Sequence, residues 1–124
     1  MLRGVRGAIT VDSDTKEEIL ARTAELLEAI IAANGILPAD IGAAIFSSTP
    51  DLTAAFPATA ARWLGWTEVP LFGAQEIGCN DGIPRCIRVL LLWNTDKPQS
   101  GITHVYLRGA VALRPDIAAA RAAN

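Results

Sequence analysis

Residues 85–95 read RCIRVLLLWNT, and this stretch decides the architecture of the chain. It is the longest and most apolar segment with strand character. Alternation puts Cys86, Arg88, Leu90 and Leu92 on one face and Ile87, Val89, Leu91 and Trp93 on the other. Both faces are apolar, so the strand is expected to be covered on both sides. Arg88 is then the odd residue, because a guanidinium among aliphatic side chains is costly unless an anion meets it. Two kinds of anion are open: an internal acid, Glu76 or Asp81, or the carboxylate of a ligand.

Working outward, Leu2–Val11 reads as a second strand. Val5, Ile9 and Val11 share one face, and Gly4, Arg6 and Ala8 share the other. Arg6, flanked there by small residues, has room to reach into open space. Ile41–Ser48 (IGAAIFSS) is a strand rich in small residues, and Thr49–Asp51 turns the chain. Val69–Glu76 is a further strand, which Pro70 confines to a sheet edge or bulge. Thr103–Leu107 starts the fifth, after a connection through Lys97–Gly101.

Two helices accompany them. Ile19, Leu20, Thr23, Leu26, Leu27, Ile30 and Ile31 recur at helical spacing. Asp14 or Thr15 is placed to cap that helix, with Glu17 or Glu18 completing a capping box, and Gly35 ends it in a left-handed cap. A short helix begins at Phe56-Pro57 and stops at Gly65. The fold class is therefore α+β: one long and one short helix against a mixed sheet of five strands. Residues 1–116 form a single domain, and Ala-rich residues 117–124 form a tail or weak helix.

Composition narrows the function classes. The chain has 124 residues, 51% hydrophobic and 19% charged, so it has the apolar content for one buried core. A net charge of −2 with no basic stripe argues against a nucleic-acid binder. The longest apolar run, Val89–Trp93, is too short to cross a bilayer. The N-terminal MLRGVRGAITV lacks the unbroken apolar stretch of a secretory signal, so a cytoplasmic protein is expected. Cys79 and Cys86 match no zinc spacing, and Cys86 reads as a buried free thiol. His104 is the one histidine, without a serine–acid pattern around it.

No activated nucleophile, phosphate-binding glycine loop or metal cluster stands in the sequence, so neither a metal nor a cofactor is expected. What remains is Arg6, Arg88, the strand-end carboxylate of Glu76 and the phenol of Tyr106. Each has a plain structural reading: ion pairs for the arginines, a solvated strand end for Glu76, a core tyrosine for Tyr106. Together they are also the equipment for binding a small dianion and stabilising charge as it moves.

Seven segments occur in order: RGVRGA at 3–8, SSTPDL at 47–52, FPA at 56–58, QE at 75–76, CIRV at 86–89, HVYL at 104–107 and LRPD at 113–116. In these the chain resembles the AroH-type chorismate mutases along nearly its whole length. The resemblance implies a homotrimer with a barrel-like core of pseudo-α/β-barrel form and active sites at subunit interfaces. It implies chorismate as substrate and prephenate as product, in aromatic amino-acid biosynthesis. Position by position, Arg88 matches the catalytic arginine facing the ether oxygen. Arg6 and Tyr106 match residues that hold the side-chain carboxylate, and Glu76 matches the acceptor for the ring hydroxyl. Phe56, Ala58, Thr59 and Arg62 match wall and rim positions from a neighbouring subunit. Phe72, Gly73, Ala74 and Gln75 match further substrate-binding positions, and Arg114 a basic residue near the C-terminal end. Three departures from the family pattern stand out: Thr59 replaces a lysine, Gly73 replaces a cysteine, and Phe72 is bulkier than its counterpart.

Overall fold

Strand alternation in residues 86–94 produces the central element of one five-stranded mixed sheet. The computed structural model describes residues 1–113. In chain order the elements are β1 (Leu2–Thr10), α1 (Lys16–Asn34), β2 (Ile41–Ser48), α2 (Ala58–Trp63), β3 (Leu71–Gln75), β4 (Cys86–Asn94) and β5 (Val105–Leu107). Short 3-10 turns lie at Pro38–Asp40, Gln99–Gly101 and Arg108–Leu113. The sheet order is β3-β2-β4-β1-β5. β4 runs antiparallel to β1 and β2, whereas β2–β3 and β1–β5 are parallel. The expected fold class is therefore the observed one.

Three strand starts differ from expectation. β3 begins at Leu71 rather than Val69, because Pro70 contributes only its carbonyl, accepting from the Ala44 N–H. It is an edge strand, as the proline requires. β4 starts at Cys86 because Arg85 takes a positive φ of 49°, outside strand geometry. β5 is shorter than the Thr103–Leu107 span. Thr103 is tied instead to the buried Asn34, whose side chain bonds its N–H and C=O at 2.8 Å each.

α1 forms where the periodicity places it. Thr15 is the N-cap, accepting from the Glu18 N–H, and Gly35 closes the helix at φ 72°. The second half of the capping box is displaced: Glu18 accepts from the Asp12 N–H, not from that of Thr15. The buried stripe of Ile19, Leu20, Thr23, Leu26, Leu27 and Ile30 lies on the sheet face carrying Val5, Ile9, Val89 and Leu91. Each such Leu or Ile contributes on the order of 1.5–3 kcal/mol on burial. Contact between the layers is close enough that a Cβ at Gly7 would stand 2.6 Å from Ile30 Cδ1. A side chain there would have to push the tips of Ile30 and Leu26 aside.

Among the described residues of one chain, β4 is fully covered on one side only, and this corrects the expectation of cover on both. Ile87, Val89, Leu91 and Trp93 are buried under the helical layer. Leu90 and Leu92 are half-buried on an open face. The same face carries half-buried Ile45 and exposed Leu2 and Phe72. At one end of it, Ala8, Cys86 and Tyr106 pack with Ala110 from the last 3-10 turn.

Candidate active site

The register explains why four residues scattered through the sequence meet. Ala8 pairs with Arg88 and with Tyr106, and Ser47 pairs with Arg88 and with Ala74. Side chains opposite one another in register share a face, so Arg88, Ser47 and Tyr106 emerge on the open face with Arg6 two residues before Ala8. Glu76 follows β3 and extends its ladder, its N–H donating to the Ser48 carbonyl. It therefore points to the same side.

A cavity of about 220 Å³ on this face is lined by Arg6, Ala8, Ser47, Arg88, Leu90 and Tyr106, among others. Arg88 Nε lies 2.7 Å from Glu76 Oε1. Of the two internal acids open to Arg88, Glu76 is the one engaged. Arg88 Nε is buried and charge-paired there, although the contact lacks hydrogen-bond geometry. The Tyr106 hydroxyl is likewise buried and makes no hydrogen bond among the described residues. A buried polar group without a partner costs about 1–3 kcal/mol, so the Tyr106 hydroxyl marks a place on this cavity where a ligand partner would be favoured. Two guanidiniums and one carboxylate leave the group net positive.

Cys86, beneath Arg88 on the same strand face, is a free thiol. Burial pushes its pKa up to about 11, against the opposing pull of the Arg88 cation. It is a neutral floor to the site rather than a nucleophile. Arg6 is exposed, and its backbone N–H donates to His104 Nδ1 at 3.0 Å.

The other predicted site residues form a second group. Phe56, Ala58, Thr59, Arg62, Gly73, Ala74 and Gln75 line a larger cavity of about 960 Å³. It lies among the start of α1, α2 and the edge strand β3, with α2 packed on α1. Phe56 is 80% exposed, an aromatic ring left largely uncovered by the described residues. Phe72 is not part of this cavity. Alternation along β3 turns it to the open face opposite Ile45, where it is 65% exposed. Arg114 lies outside the described residues.

Ser47 lines both cavities, and its hydroxyl donates to Glu76 Oε1 at 2.9 Å. Sequence reasoning gave it no role. The usable signal was its phase in IGAAIFSS, one step beyond Phe46 and therefore on the face opposite that core ring. A second network was missed as well. Asp51 accepts from the Arg85 N–H while Thr49 accepts from the Cys86 N–H, and together they fix the start of β4 two residues before Arg88.

Known proteins resemble the chain in sequence and in fold. Residues 2–117 match the family model described as chorismate mutase type I. The chain is 54% identical over 122 residues to "Chorismate mutase AroH" of Thermus thermophilus, covering 98% of this chain and all of that one. It is 51% identical over 118 residues to the protein of the same name from Bacillus subtilis (strain 168), covering 94% and 93%. A solved chorismate mutase from Clostridium thermocellum superposes with a TM-score of 0.86 at 46% identity, over 88% of this chain and 97% of that one. With the family model spanning almost the whole sequence, this chain belongs to the chorismate mutase type I family.

Proposed function

We propose that the chain is a chorismate mutase that rearranges chorismate to prephenate at sites shared between the subunits of a homotrimer, without a cofactor. The observation that carries this is the open-face cluster: Arg6, Arg88 and Tyr106 around one cavity, with the Tyr106 hydroxyl buried and unpartnered among the described residues and Glu76 paired to Arg88. Chorismate carries two carboxylates and an ether oxygen, and its rearrangement is concerted, needing neither a nucleophile nor a general base. A site can accelerate it by holding the chair-like diaxial conformer. It can also place a fixed cation where the breaking C–O bond leaves negative charge. Arg88 supplies that cation. Arg6 and the Tyr106 hydroxyl hold the side-chain carboxylate, and Glu76 accepts from the ring hydroxyl.

Sharing between subunits is supported by what one chain lacks. Arg62 on α2 and Phe56 just before it line a different cavity from Arg88, the two cavities adjoining at Ser47. The open sheet face that would meet a second copy presents Leu2, Ile45, Phe72, Leu90 and Leu92. A trimer burying this face lets Arg62, Thr59 and Phe56 of one subunit close the site of the next. Gly73 contributes backbone alone to that wall. Among the described residues no helix is long and apolar enough to cross a membrane. The same reading places the reaction in aromatic amino-acid biosynthesis in the cytoplasm.

The test is direct. Purified protein added to chorismate should abolish the ultraviolet absorbance of the ring diene, with prephenate as the product. An unchanged spectrum from folded trimer would sink the assignment.

A further inference from the structure

Residues 53–55 have no ladder to hold them. The backbone hydrogen bond of the preceding turn runs from the Leu52 N–H to Thr49, and the next one forward runs from the Thr59 N–H to Phe56. The helix that follows, Ala58–Trp63, has no side-chain cap, and a helix of this length does not hold itself. Among the described residues, the hydrogen bonds recorded for this stretch all end on one carboxylate. Asp14 Oδ1 accepts from the Thr53 N–H at 2.9 Å and the Ala54 N–H at 3.0 Å, and Oδ2 accepts from the Thr53 hydroxyl at 2.9 Å. Asp14 is itself held by its neighbour, since Thr15 caps α1. Thr53 and Ala54 line the same cavity as Phe56, Ala58 and Arg62.

We propose that Asp14 is a positioning residue for chorismate binding: its carboxylate ties residues 53–54 to the start of α1 and so sets where Phe56 and Arg62 stand. This rests on the reading that these two residues complete a neighbouring subunit's site. Asp14 touches no substrate. It acts on the half of the site that bears the wall and rim, leaving Arg88 where it is. Leu52, Ala55 and Ala58 pack against the core, and charge-assisted hydrogen bonds from two backbone N–H groups and a hydroxyl fix the backbone between them. The same three donors hold the Asp14 carboxyl below its usual pKa.

Removing a contact that serves binding in ground and transition states alike raises KM and spares kcat. Asp14→Ala should therefore raise the KM for chorismate by roughly tenfold while kcat stays within about threefold. Asp14→Asn should restore a near-normal KM, because its amide oxygen can still accept both N–H groups and its NH2 can donate to the Thr53 hydroxyl. Thr53→Val, which removes one of the three bonds, should fall between. Mixed trimers then locate the effect. Asp14→Ala chains refolded with Arg88→Ala chains should regain sites of normal KM, whereas Asp14→Ala with Arg62→Ala should not. A mixture of Arg62→Ala and Arg88→Ala is the control for shared sites, and its failure to recover would count against sharing alone. The positioning role is overturned by an unchanged KM in Asp14→Ala, by Asp14→Asn behaving like Asp14→Ala, or by recovery with Arg62→Ala and not with Arg88→Ala.

Discussion

Arg88 and Glu76 meet across an intervening strand, Nε to Oε1 at 2.7 Å, and Ser47 of that strand donates its hydroxyl to the same oxygen. Both contacts therefore fall on Oε1, and neither uses Oε2. A carboxylate so arranged is fixed by its neighbours through one oxygen while the other is free to accept from a ligand hydroxyl. Glu76→Gln keeps an acceptor for Ser47 and should retain part of the activity. Glu76→Asp draws the carboxylate back by one methylene and should do worse. Glu76→Ala should lower kcat/KM by at least about a hundredfold, the scale of losing one preorganised polar partner. Steady-state assays on the three variants decide the order. Full activity in Glu76→Ala would return this residue to a solvated strand end.

The open sheet face makes a prediction about assembly. Light scattering after size-exclusion chromatography should give a mass of about three chains. Leu92 is half-buried on that face with Gly4 and Ala43 beside it in register. A charge there would be desolvated in the assembly but tolerated in a single chain, so Leu92→Asp should yield folded, inactive monomer. A monomeric wild-type protein that turns over chorismate would refute the shared site.

Complementation tests the sharing itself. Arg62 and Arg88 line different cavities, so chains carrying Arg62→Ala and Arg88→Ala each keep one good half of a site. Provided each variant is defective alone, co-refolded mixtures should recover part of the wild-type activity. No recovery, with mixing verified by native mass spectrometry, would put both arginines in one chain's site.

The residues that line the site were legible because each belongs to a strand whose alternation is plain. Arg88 stood out among aliphatic residues and Arg6 among small ones, and β-register does the rest by bringing Ala8, Arg88 and Ser47 into one row. Coverage was harder to read. A strand apolar on both faces looks the same whether its second cover is a helix of its own chain or the sheet of another, so the uncovered Leu90 and Leu92 could not be foreseen from pattern. Bonds formed between distant loops were invisible for a different reason. Asp14 was a plausible helix cap by its position, but Thr15 took that role, and the acceptor capacity of Asp14 went to Thr53 and Ala54 on a segment with no periodicity. Phe72, placed by homologous position among the substrate-binding residues, stands by its phase on β3 on the open face that also carries Arg88, away from the cavity beside α2.

The two cysteines should separate cleanly by reactivity. Cys79 is exposed and Cys86 is buried, with its thiol raised to about 11. At pH 8 an alkylating reagent should modify Cys79 alone in the folded protein and both residues in denaturant. The linked stability effect has a defined sign. A thiol whose folded pKa lies above its unfolded value stabilises fully below the unfolded pKa, near 9, and loses this as pH rises toward about 11. The wild type should thus lose more stability over that window than Cys86→Ala does. Equal slopes for the two would remove Cys86 from the account.

Arg88 offers the sharpest test, because its contact with Glu76 leaves a structural and a catalytic role to be told apart. A fully buried ion pair loses roughly 3–5 kcal/mol when one partner is removed. This pair is not fully buried: the side chains keep 37% and 18% of their exposure. At such exposure the pair is worth about 0–1 kcal/mol, with solvent screening part of the attraction. Arg88→Ala should therefore shift the melting temperature little in either direction. Its turnover should fall by at least about 10²–10³-fold, the usual loss for one preorganised donor at a developing oxyanion. Arg88→Lys should recover only part, since an ammonium keeps the charge but not the planar fork that reaches two oxygens together. Both quantities must be measured on one preparation of the Ala variant. A collapse in melting temperature with normal turnover per folded trimer would make Arg88 a structural ion-pair member. A preserved melting temperature with lost turnover assigns it to the reaction.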